Sequence, residues 1–112
     1  MNLLWTKKEL ITATNGSDPS SNFLINQKDV FGISIDDRTI KEGDLYVAIK
    51  GDKYDGHDFI NSAISKGASG VIVSDKKIAL RYSGLFVKDT KIALINIAQF
   101  SRNRFTGKVI AI

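Results

Sequence analysis

The chain has 112 residues, a formal net charge of +4, one His and no Cys. This length corresponds to one domain, and 43% hydrophobic with 25% charged residues is typical of a globular protein and excludes a disordered or fibrous one. The lack of Cys excludes disulfides and Cys-based zinc sites, and a single His excludes multi-His metal sites. No apolar run approaches the ~18 residues of a membrane-spanning helix and no signal-peptide pattern is present, so we expect no membrane insertion and a cytoplasmic protein.

The N-terminal half contains one helix signal and then strand signals. Thr6 and Glu9 fit a capping box that starts a helix, which Asn15-Gly16 ends at about Thr14. A turn-rich loop follows over 16–22. Three segments are predicted as strands: a short edge strand at 23–26, an alternating half-buried strand at 31–36 and a more buried strand at 45–49.

The C-terminal half alternates helix and strand signals. A loop over 51–56 precedes an amphipathic helix over 58–66, which Gly67 ends. Short buried strands are predicted at 70–74 and 85–88. Asp89 then caps a long helix to about Arg104 with two apolar stripes, one of Ile92, Ile95, Ala98 and Gln99 and one of Leu94, Ile97 and Ser101.

This interleaving predicts an α/β fold in three layers, with a mixed, mostly parallel sheet of about five short strands flanked by helices. Only eight residues connect 31–36 to 45–49. That is short for a crossover helix, so we expect these two strands to be antiparallel. The final run, Lys108 to Ile112, is a strand signal with no turn after it. We therefore expect one domain over 1–107 and, at 108–112, the truncated first strand of a following domain.

Polar residues leave the end of the first predicted strand together, in the run Ser34-Ile35-Asp36-Asp37-Arg38. Arg38 has the geometry to bind a phosphate in bidentate fashion, and Ser34 could recognise a polar ring. The alternative is structural: an aspartate of this run pairs with Arg38 and caps a strand-end turn.

A second candidate is the loop Lys50-Gly51-Asp52-Lys53-Tyr54-Asp55-Gly56-His57-Asp58. A strand end, a glycine-containing loop and a helix N-terminus would aim backbone N–H groups at an anion. The alternative is that Asp55 and Asp58 cap the helix and His57 packs. A metal site on Asp55, His57 and Asp58 is a weaker hypothesis, since adjacency in sequence does not make ligands converge.

The remaining sequence features do not indicate a complete enzyme. The basic run Arg102-Asn103-Arg104 suits the C-terminal end of a helix dipole better than nucleic acid, because basic and aromatic residues do not interleave. The sequence has no P-loop, dinucleotide-binding or nucleophile-elbow motif, and we expect no nucleophile–base pair.

Taken together, the motifs resemble one known family. The runs are Ser34-Ile35-Asp36-Asp37-Arg38-Thr39-Ile40, Gly43-Asp44-Leu45-Tyr46-Val47-Ala48-Ile49-Lys50-Gly51, Asp55-Gly56-His57-Asp58-Phe59 and Gly67-Ala68. They resemble the amino-terminal domain of the Mur ligases, in the MurF and MurE branches. The sequence departs from the family pattern at Asp37, where Ser or Thr is usual, and at Tyr46, where Phe is usual. The flanks, with Trp5-Thr6 and Arg102 to Ile112, favour the MurF branch, with MurE second.

The resemblance implies a function in peptidoglycan synthesis, within a cytoplasmic, monomeric bacterial ligase that joins D-Ala-D-Ala to UDP-MurNAc-tripeptide. This domain would hold the UDP part of the substrate and carry no catalytic or metal-binding residue. The other domains of the ligase would bind ATP and Mg²⁺, so the fragment alone would need no cofactor and be inactive. The UDP-binding residues would be Ser34, Ile35, Asp36, Arg38, Lys50, Gly51, Asp52, Tyr54, Asp55, Gly56, His57 and Asp58.

Within that set, Ser34 and Asp36 would contact uridine, and Arg38 would orient the loop or touch phosphate. Lys50 and the amides of 51–56 would face the diphosphate. His57 and Asp58 would cap the helix and order the loop. Two other classes of function stay open: a non-catalytic α/β interaction or regulatory module, and a small basic nucleic-acid binder.

Overall fold

A computed structural model describes residues 6–24, 30 and 32–104, and for 101–104 the backbone alone. The predicted strand at 108–112 and the segment before Thr6 lie outside these residues. The helices are α1 (Lys7–Thr14), α2 (Ile60–Ser65), α3 (Lys76–Tyr82) and α4 (Thr90–Arg104). The strands are β1 (Gly32–Ser34), β2 (Asp44–Val47), β3 (Gly70–Val73) and β4 (Leu85–Phe86), and single 3₁₀ turns span Asp37–Thr39 and Gly56–Phe59.

The four strands form one parallel sheet in the order β1-β2-β3-β4, so each strand pairs with the next along the chain. Ser17 adds a single antiparallel bridge outside β4: its N–H donates to the Phe86 carbonyl at 2.9 Å, and the Phe86 N–H donates back at 2.8 Å. The predicted α/β class, with a mostly parallel sheet between helices, is confirmed.

The expected antiparallel pairing of the first two strands is wrong, because β1 and β2 are parallel, with Ile33 opposite Leu45. The reason is the length of the strands. A three-residue strand rises only about 10 Å, and the residues between Ser34 and Asp44 can span more than twice that distance. A connection with one 3₁₀ turn, Asp37–Thr39, is therefore long enough to bring the chain back beside the first residue of β1, where β2 begins.

Alternating residues of the strands face two separate cores, which confirms the three layers. In β2, Leu45 and Val47 belong to the core beneath α1 and α4, whereas Tyr46 belongs to the core beneath α2 and α3. The first core consists of Leu10, Phe23, Leu24, Val30, Leu45, Val47, Ile72, Leu85, Val87, Ala93 and Ile97. The second consists of Ile40, Tyr46, Ala48, Ile60, Ala63, Val71, Val73 and Ala79.

The local signals for helix starts are confirmed at Thr6 and Asp89. Thr6 and Glu9 form the reciprocal capping box of α1, and Asn15 ends that helix in the left-handed conformation. Asp89 Oδ1 accepts the N–H groups of Lys91 and Ile92 at the start of α4.

Two other segments differ from the sequence interpretation. Residues 23–24 form a turn rather than a strand, and the rest of that predicted strand lies outside the described residues. Helix α3, capped by Asp75 and packed through Ala79, was not predicted. It supplies the crossover between β3 and β4.

Candidate functional site

The candidate site is a cleft of about 560 Å³ beyond the carboxyl ends of β1 and β2. In open α/β sheets ligands bind beyond the carboxyl ends of the strands, and in this chain the loops that leave β1 and β2 meet there. The turn after β1 and the loop after β2 supply the walls. The lining residues are Ile35, Asp36, Asp37, Arg38, Tyr46, Ile49, Tyr54, Gly56 and Phe59.

The run after β1 folds into a compact polar turn. Ser34 Oγ donates to the Asp36 carbonyl and accepts the Asp36 N–H, which fixes the chain where the strand ends. Asp36 Oδ1 accepts the Arg38 N–H at 2.9 Å and so caps the 3₁₀ turn. The Arg38 guanidinium also forms a bidentate pair with Asp36, Nε to Oδ1 at 3.1 Å and Nη2 to Oδ2 at 3.0 Å.

These contacts match the structural alternative for this run, an aspartate that caps the turn and pairs with the arginine. The Arg38 side-chain hydrogen bonds hold the pKa of Asp36 below its ordinary value, so the carboxylate stays charged. The Arg38 side chain is nevertheless 81% exposed. Its guanidinium is therefore both oriented by Asp36 and accessible from the cleft.

The loop after β2 closes on itself as a tight hairpin. The Gly51 N–H donates to the Tyr54 carbonyl and the Gly56 N–H donates to the Ile49 carbonyl, both at 2.8 Å. The expectation that the amides of 51–56 face an anion is therefore wrong for these two, because both are used within the hairpin. Lys50, Gly51 and Asp52 are exposed and do not line the cleft.

The second 3₁₀ turn already carries a carboxylate at its N-terminus. Asp55 Oδ1 accepts the His57 N–H at 3.0 Å, in the position where an incoming anion was expected. Burial opposes the ionisation of Asp55, but the hydrogen bonds from the His57 backbone and ring outweigh it and lower the pKa of Asp55. Asp58 is exposed, and no side chain caps α2, so the expected capping by Asp58 is wrong.

His57 joins the loop after β2 to the end of β3. Its Nδ1 lies 2.6 Å from Asp55 Oδ1, and its Nε2 accepts the Ser74 backbone N–H at 3.0 Å. The neutral ring therefore carries its proton on Nδ1. The Ser74 hydroxyl is 3.5 Å from Nε2, whose lone pair the backbone N–H already occupies, so the trio of Asp55, His57 and Ser74 is a structural link and not a nucleophile with its base. The predicted ordering of the loop by His57 agrees with this geometry.

The floor of the cleft is Tyr46, whose side chain is buried and whose hydroxyl donates to the Gly56 carbonyl at 2.8 Å. Burial, with the nearby charges of Asp37, Asp36 and Asp55, raises the pKa of Tyr46 to about 12. A Cβ at residue 56 would lie 2.7 Å from the Ile49 nitrogen and 3.0 Å from this hydroxyl. Gly56 is therefore required for the close approach of the loop to the floor.

Two aromatic rings form the outer rim. Tyr54 is 71% exposed and Phe59 is 37% exposed, and the rings meet edge to face with centroids 6.4 Å apart. Exposed aromatic faces beside a polar cleft can stack on a planar ring of a ligand.

Five of the twelve residues predicted for the site line the cleft: Ile35, Asp36, Arg38, Tyr54 and Gly56. The others either shape its walls, as Ser34, Asp55 and His57 do, or lie outside it. The prediction missed Asp37, Tyr46, Ile49 and Phe59. All four stood inside the quoted motifs, and Asp37 and Phe59 are direct neighbours of predicted residues, which was the available signal for these two. Tyr46 and Ile49 follow a strand pattern, which gives no sign of a cleft.

Among the residues that the structure describes, no three His, Asp or Glu side chains converge in a way that could hold a metal ion. Asp55, His57 and Asp58 are therefore not a metal centre, since one Asp55 oxygen is already bonded to His57 and Asp58 points to solvent. Within the described ranges no helix combines the length and apolar composition of a bilayer span.

The comparisons with known proteins agree with this architecture. The model of the Mur ligase family, catalytic domain, matches residues 29–104, which is more than half of the chain. The chain belongs to the Mur ligase family.

Two curated relatives illustrate the family likeness. The UDP-N-acetylmuramoyl-tripeptide–D-alanyl-D-alanine ligase of Rickettsia prowazekii is 33% identical over 98% of this chain and 23% of its own length. The UDP-N-acetylmuramoyl-L-alanyl-D-glutamate–2,6-diaminopimelate ligase of Rickettsia conorii is 50% identical, over 48% of this chain and 11% of its own length. The chain thus spans less than a quarter of either relative.

Solved structures of Mur ligases share the fold. MurF from Acinetobacter baumannii superposes with a TM-score of 0.77 at 24% identity, over 94% of this chain and 22% of that protein. MurF from Thermotoga maritima, solved with ADP, gives a TM-score of 0.59 at 31% identity, over 67% of this chain and 17% of that protein.

Proposed function

We propose that this chain is the substrate-recognition domain of a MurF-type ligase and holds the UDP part of UDP-MurNAc-tripeptide in the cleft beyond β1 and β2. The observation that carries the proposal is the cleft itself. Its volume falls within the range of small-molecule sites, and an oriented, accessible guanidinium and two exposed aromatic rings border it.

The roles of the lining residues follow from their chemistry. Arg38 can give a diphosphate the outer edge of its guanidinium while Asp36 holds the other edge. The Tyr54 and Phe59 rings offer faces to a pyrimidine. Binding of the UDP group here would fix the substrate far from the reacting carboxyl group, and so contribute orientation rather than chemistry.

The MurF branch is preferred because the likeness to the tripeptide–D-alanyl-D-alanine ligase runs over 98% of the chain. The likeness to the diaminopimelate ligase is higher in identity but stops at 48%. The second candidate, a MurE-type domain that recognises UDP-MurNAc-dipeptide, rests on that local identity. A full-length ligase that contains this domain would join D-Ala-D-Ala if the MurF assignment holds, and diaminopimelate or another third amino acid if it does not.

The rest of the activity belongs to parts of the ligase beyond this chain. ATP and Mg²⁺ would supply acyl activation there, because the sequence has no P-loop and the described residues have no metal-ligand cluster. The parent is proposed to be a cytoplasmic monomer, and this domain alone to be catalytically inactive.

The direct test is an NMR titration of the 112-residue chain with UDP, with UMP and ATP as controls. We expect shifts at 35–38, 46, 49 and 54–59, and tighter binding of UDP than of ATP. Equal binding of ATP and UDP, or shifts spread over α1 and α4, would contradict the proposal.

Three alanine variants separate the residues that line the cleft from those that do not. Arg38→Ala removes charge-assisted hydrogen bonds to phosphate and should weaken UDP binding about tenfold. Lys50→Ala tests the predicted diphosphate contact of an exposed lysine outside the cleft, and we expect about twofold or less, because such charges are screened. Arg81→Ala, an exposed arginine on α3, is the matched control and should change nothing. Unchanged affinity in Arg38→Ala would remove Arg38 from the site.

A further inference from the structure

We propose that His57 is a pH-sensitive link between the loop after β2 and the end of β3, which holds one wall of the cleft in place while the ring is neutral and releases that wall when Nε2 gains a proton. This inference goes beyond the proposed function, because it concerns the chain without a ligand and holds whether or not the cleft binds UDP.

The link consists of one imidazole that uses both of its nitrogens. The side chain is 8% exposed, its Nδ1 lies 2.6 Å from Asp55 Oδ1, and its Nε2 accepts the Ser74 backbone N–H at 3.0 Å. A ring nitrogen can accept a hydrogen bond only while it carries no proton. The link to Ser74 therefore exists in one state of the ring, the neutral state with its proton on Nδ1.

Protonation of Nε2 removes the acceptor and sets two donors against each other. An imidazolium donates from both nitrogens, so the Ser74 N–H loses its partner. The Ser74 hydroxyl is an alternative acceptor on the same residue, but it lies 3.5 Å from Nε2. Because this distance is at the limit of a hydrogen bond, the ring must move to reach the hydroxyl. Protonation thus replaces the contact with the backbone by one at a different position.

The side of the ring that faces Asp55 keeps its contact in both states. Burial opposes the ionisation of Asp55, but the hydrogen bonds from the His57 backbone and ring outweigh it and lower the pKa of that carboxyl. A carboxylate at this distance stabilises an imidazolium. The ring therefore stays attached to its own loop when it gains a proton, and the contact that breaks is the one to β3.

The other groups near the ring do not compete for it. Asp75, directly after Ser74, accepts the N–H groups of Lys77 and Ile78 and so caps α3. Within the described residues, Asp55 is the charged group that is bonded to the ring. The remaining charged or titratable side chains of the surrounding elements are Lys50 and Asp58 on the loop and its turn, Tyr46 on β2, and Lys76 and Lys77 on α3.

Release of Ser74 changes how the cleft wall is held. In the part of the chain that the structure describes, two side-chain hydrogen bonds tie this wall to the sheet: the Tyr46 hydroxyl to the Gly56 carbonyl at 2.8 Å, and the link through His57. Without the second, the hairpin over 49–56 stays closed by its own backbone bonds and attached at Gly56. The wall and its two aromatic rings can then pivot about the one remaining bond.

The composition of the chain allows such a change to be assigned. Histidine is the side chain whose charge changes between about pH 5 and pH 8, and this chain has one His and no Cys. A change in that interval that is confined to the loop and to Ser74 therefore reports on this ring.

The test is an NMR titration of the ¹⁵N-labelled 112-residue chain from about pH 8 to about pH 5, which follows the imidazole nitrogens and the backbone amides. We expect a proton on Nδ1 alone at the alkaline end and on both nitrogens at the acid end. The amide signals of 54–57 and of Ser74 should shift with the same midpoint as Nε2. The Ser74 amide should move upfield, because it loses its acceptor.

Three results of this titration would overturn the proposal. If the ring gains its proton while the amides of Ser74 and 54–57 stay unchanged, the link does not depend on the charge of the ring. If the ring stays neutral throughout, the folded chain has no switch. If shifts spread over α1 and α4, the change is general acid unfolding.

Two variants test the exchange of acceptors. Ser74→Ala keeps the backbone N–H but removes the hydroxyl, so the link at pH 8 should persist and the transition should move to lower pH. Ser65→Ala, at an exposed serine at the end of α2, is the matched control and should behave as wild type. An unchanged transition in Ser74→Ala would contradict the exchange.

His57→Gln removes the titrating ring, and the amides of 54–56 should then show no transition between pH 5 and pH 8. A transition that persists in this variant would assign it to another group and overturn the proposal. If His57→Gln does not fold, the titration of Nε2 in wild type and in Ser74→Ala still decides.

Discussion

At the scale of single residues, Tyr46 shows how one hydroxyl couples the sheet to the cleft. The ring lies in the core beneath α2 and α3, and the hydroxyl bonds to the Gly56 carbonyl of the loop. Burial of the phenol, with the nearby charges of Asp37, Asp36 and Asp55, opposes its ionisation and raises its pKa to about 12, from an ordinary value of 10.0.

This shift predicts a stability change at alkaline pH. The folded pKa lies above the unfolded one, so the contribution of Tyr46 is complete below about pH 10 and is lost as the pH rises toward about 12. Tyr46→Phe should lose about 0.5–1.5 kcal/mol of stability at pH 8 through the missing hydrogen bond. Urea unfolding should show the gap between wild type and variant narrowing from pH 10 upward. A gap that is constant with pH would contradict the assignment.

The same residue marks a limit of sequence reasoning. Alternation predicted Tyr46 in a strand correctly, but it cannot show that the hydroxyl reaches residue 56. That contact depends on the hairpin over 49–56, whose geometry follows from two backbone hydrogen bonds and from Gly56.

At the scale of elements, His57 fastens the loop after β2 to the end of β3. Its side chain is 8% exposed and bonds at one end to Asp55 and at the other to the Ser74 backbone. The loop carries Tyr54, Gly56 and Phe59 into the cleft. The rigidity of one cleft wall therefore depends on one imidazole.

His57→Ala should destabilise the chain by about 1–3 kcal/mol, because it removes two hydrogen bonds and leaves the Ser74 N–H without its acceptor. Chemical denaturation measures this loss, and hydrogen exchange should show faster exchange of the Ser74 amide. Asp58→Ala, one residue away and exposed, is the control, with a change within about 0.5 kcal/mol. Equal effects of the two substitutions would show that His57 is not a fastening point.

Prediction of elements succeeded where the signal is local. The capping box at Thr6 and the Asp89 cap need only a few neighbouring residues, and both are present. Helix α3 has similar signals, Asp75 as a cap and Ser83-Gly84 as an end, but no element was predicted in the short interval between the two strands. The direction of β1 relative to β2 could not be predicted, because it depends on how little chain a three-residue strand needs for its return.

At the scale of the whole molecule, contacts fall into two groups by distance along the chain. Each strand pairs with the next one, so residues 32–86 can assemble by successive short steps. Helix α1 instead packs against α4, near the other end of the chain. Closing that long loop costs chain entropy before the contacts between α1 and α4 can stabilise the fold. Helix α1 should therefore dock late in folding.

The late docking of α1 is testable with two buried substitutions, Leu10→Ala in α1 and Val71→Ala in β3. Leu10→Ala should lower stability by about 2–4 kcal/mol and act mainly by speeding unfolding. Val71→Ala should slow folding as well. Stopped-flow measurements with urea give both rates. If Leu10→Ala instead slows folding enough to account for its whole loss of stability, α1 belongs to the folding nucleus.

The bridge between Ser17 and Phe86 has a consequence for the sheet as a surface. Strand β4 has two residues, and the N–H and carbonyl of Phe86 are both bonded to Ser17. Gly16 permits this approach, since a Cβ there would lie 2.9 Å from the Phe86 oxygen. A strand edge with free donors and acceptors is a template for pairing with another chain. Here Ser17, from the N-terminal segment, bonds to both backbone groups of Phe86. The exposed edge of β4 is therefore protected from pairing with another chain.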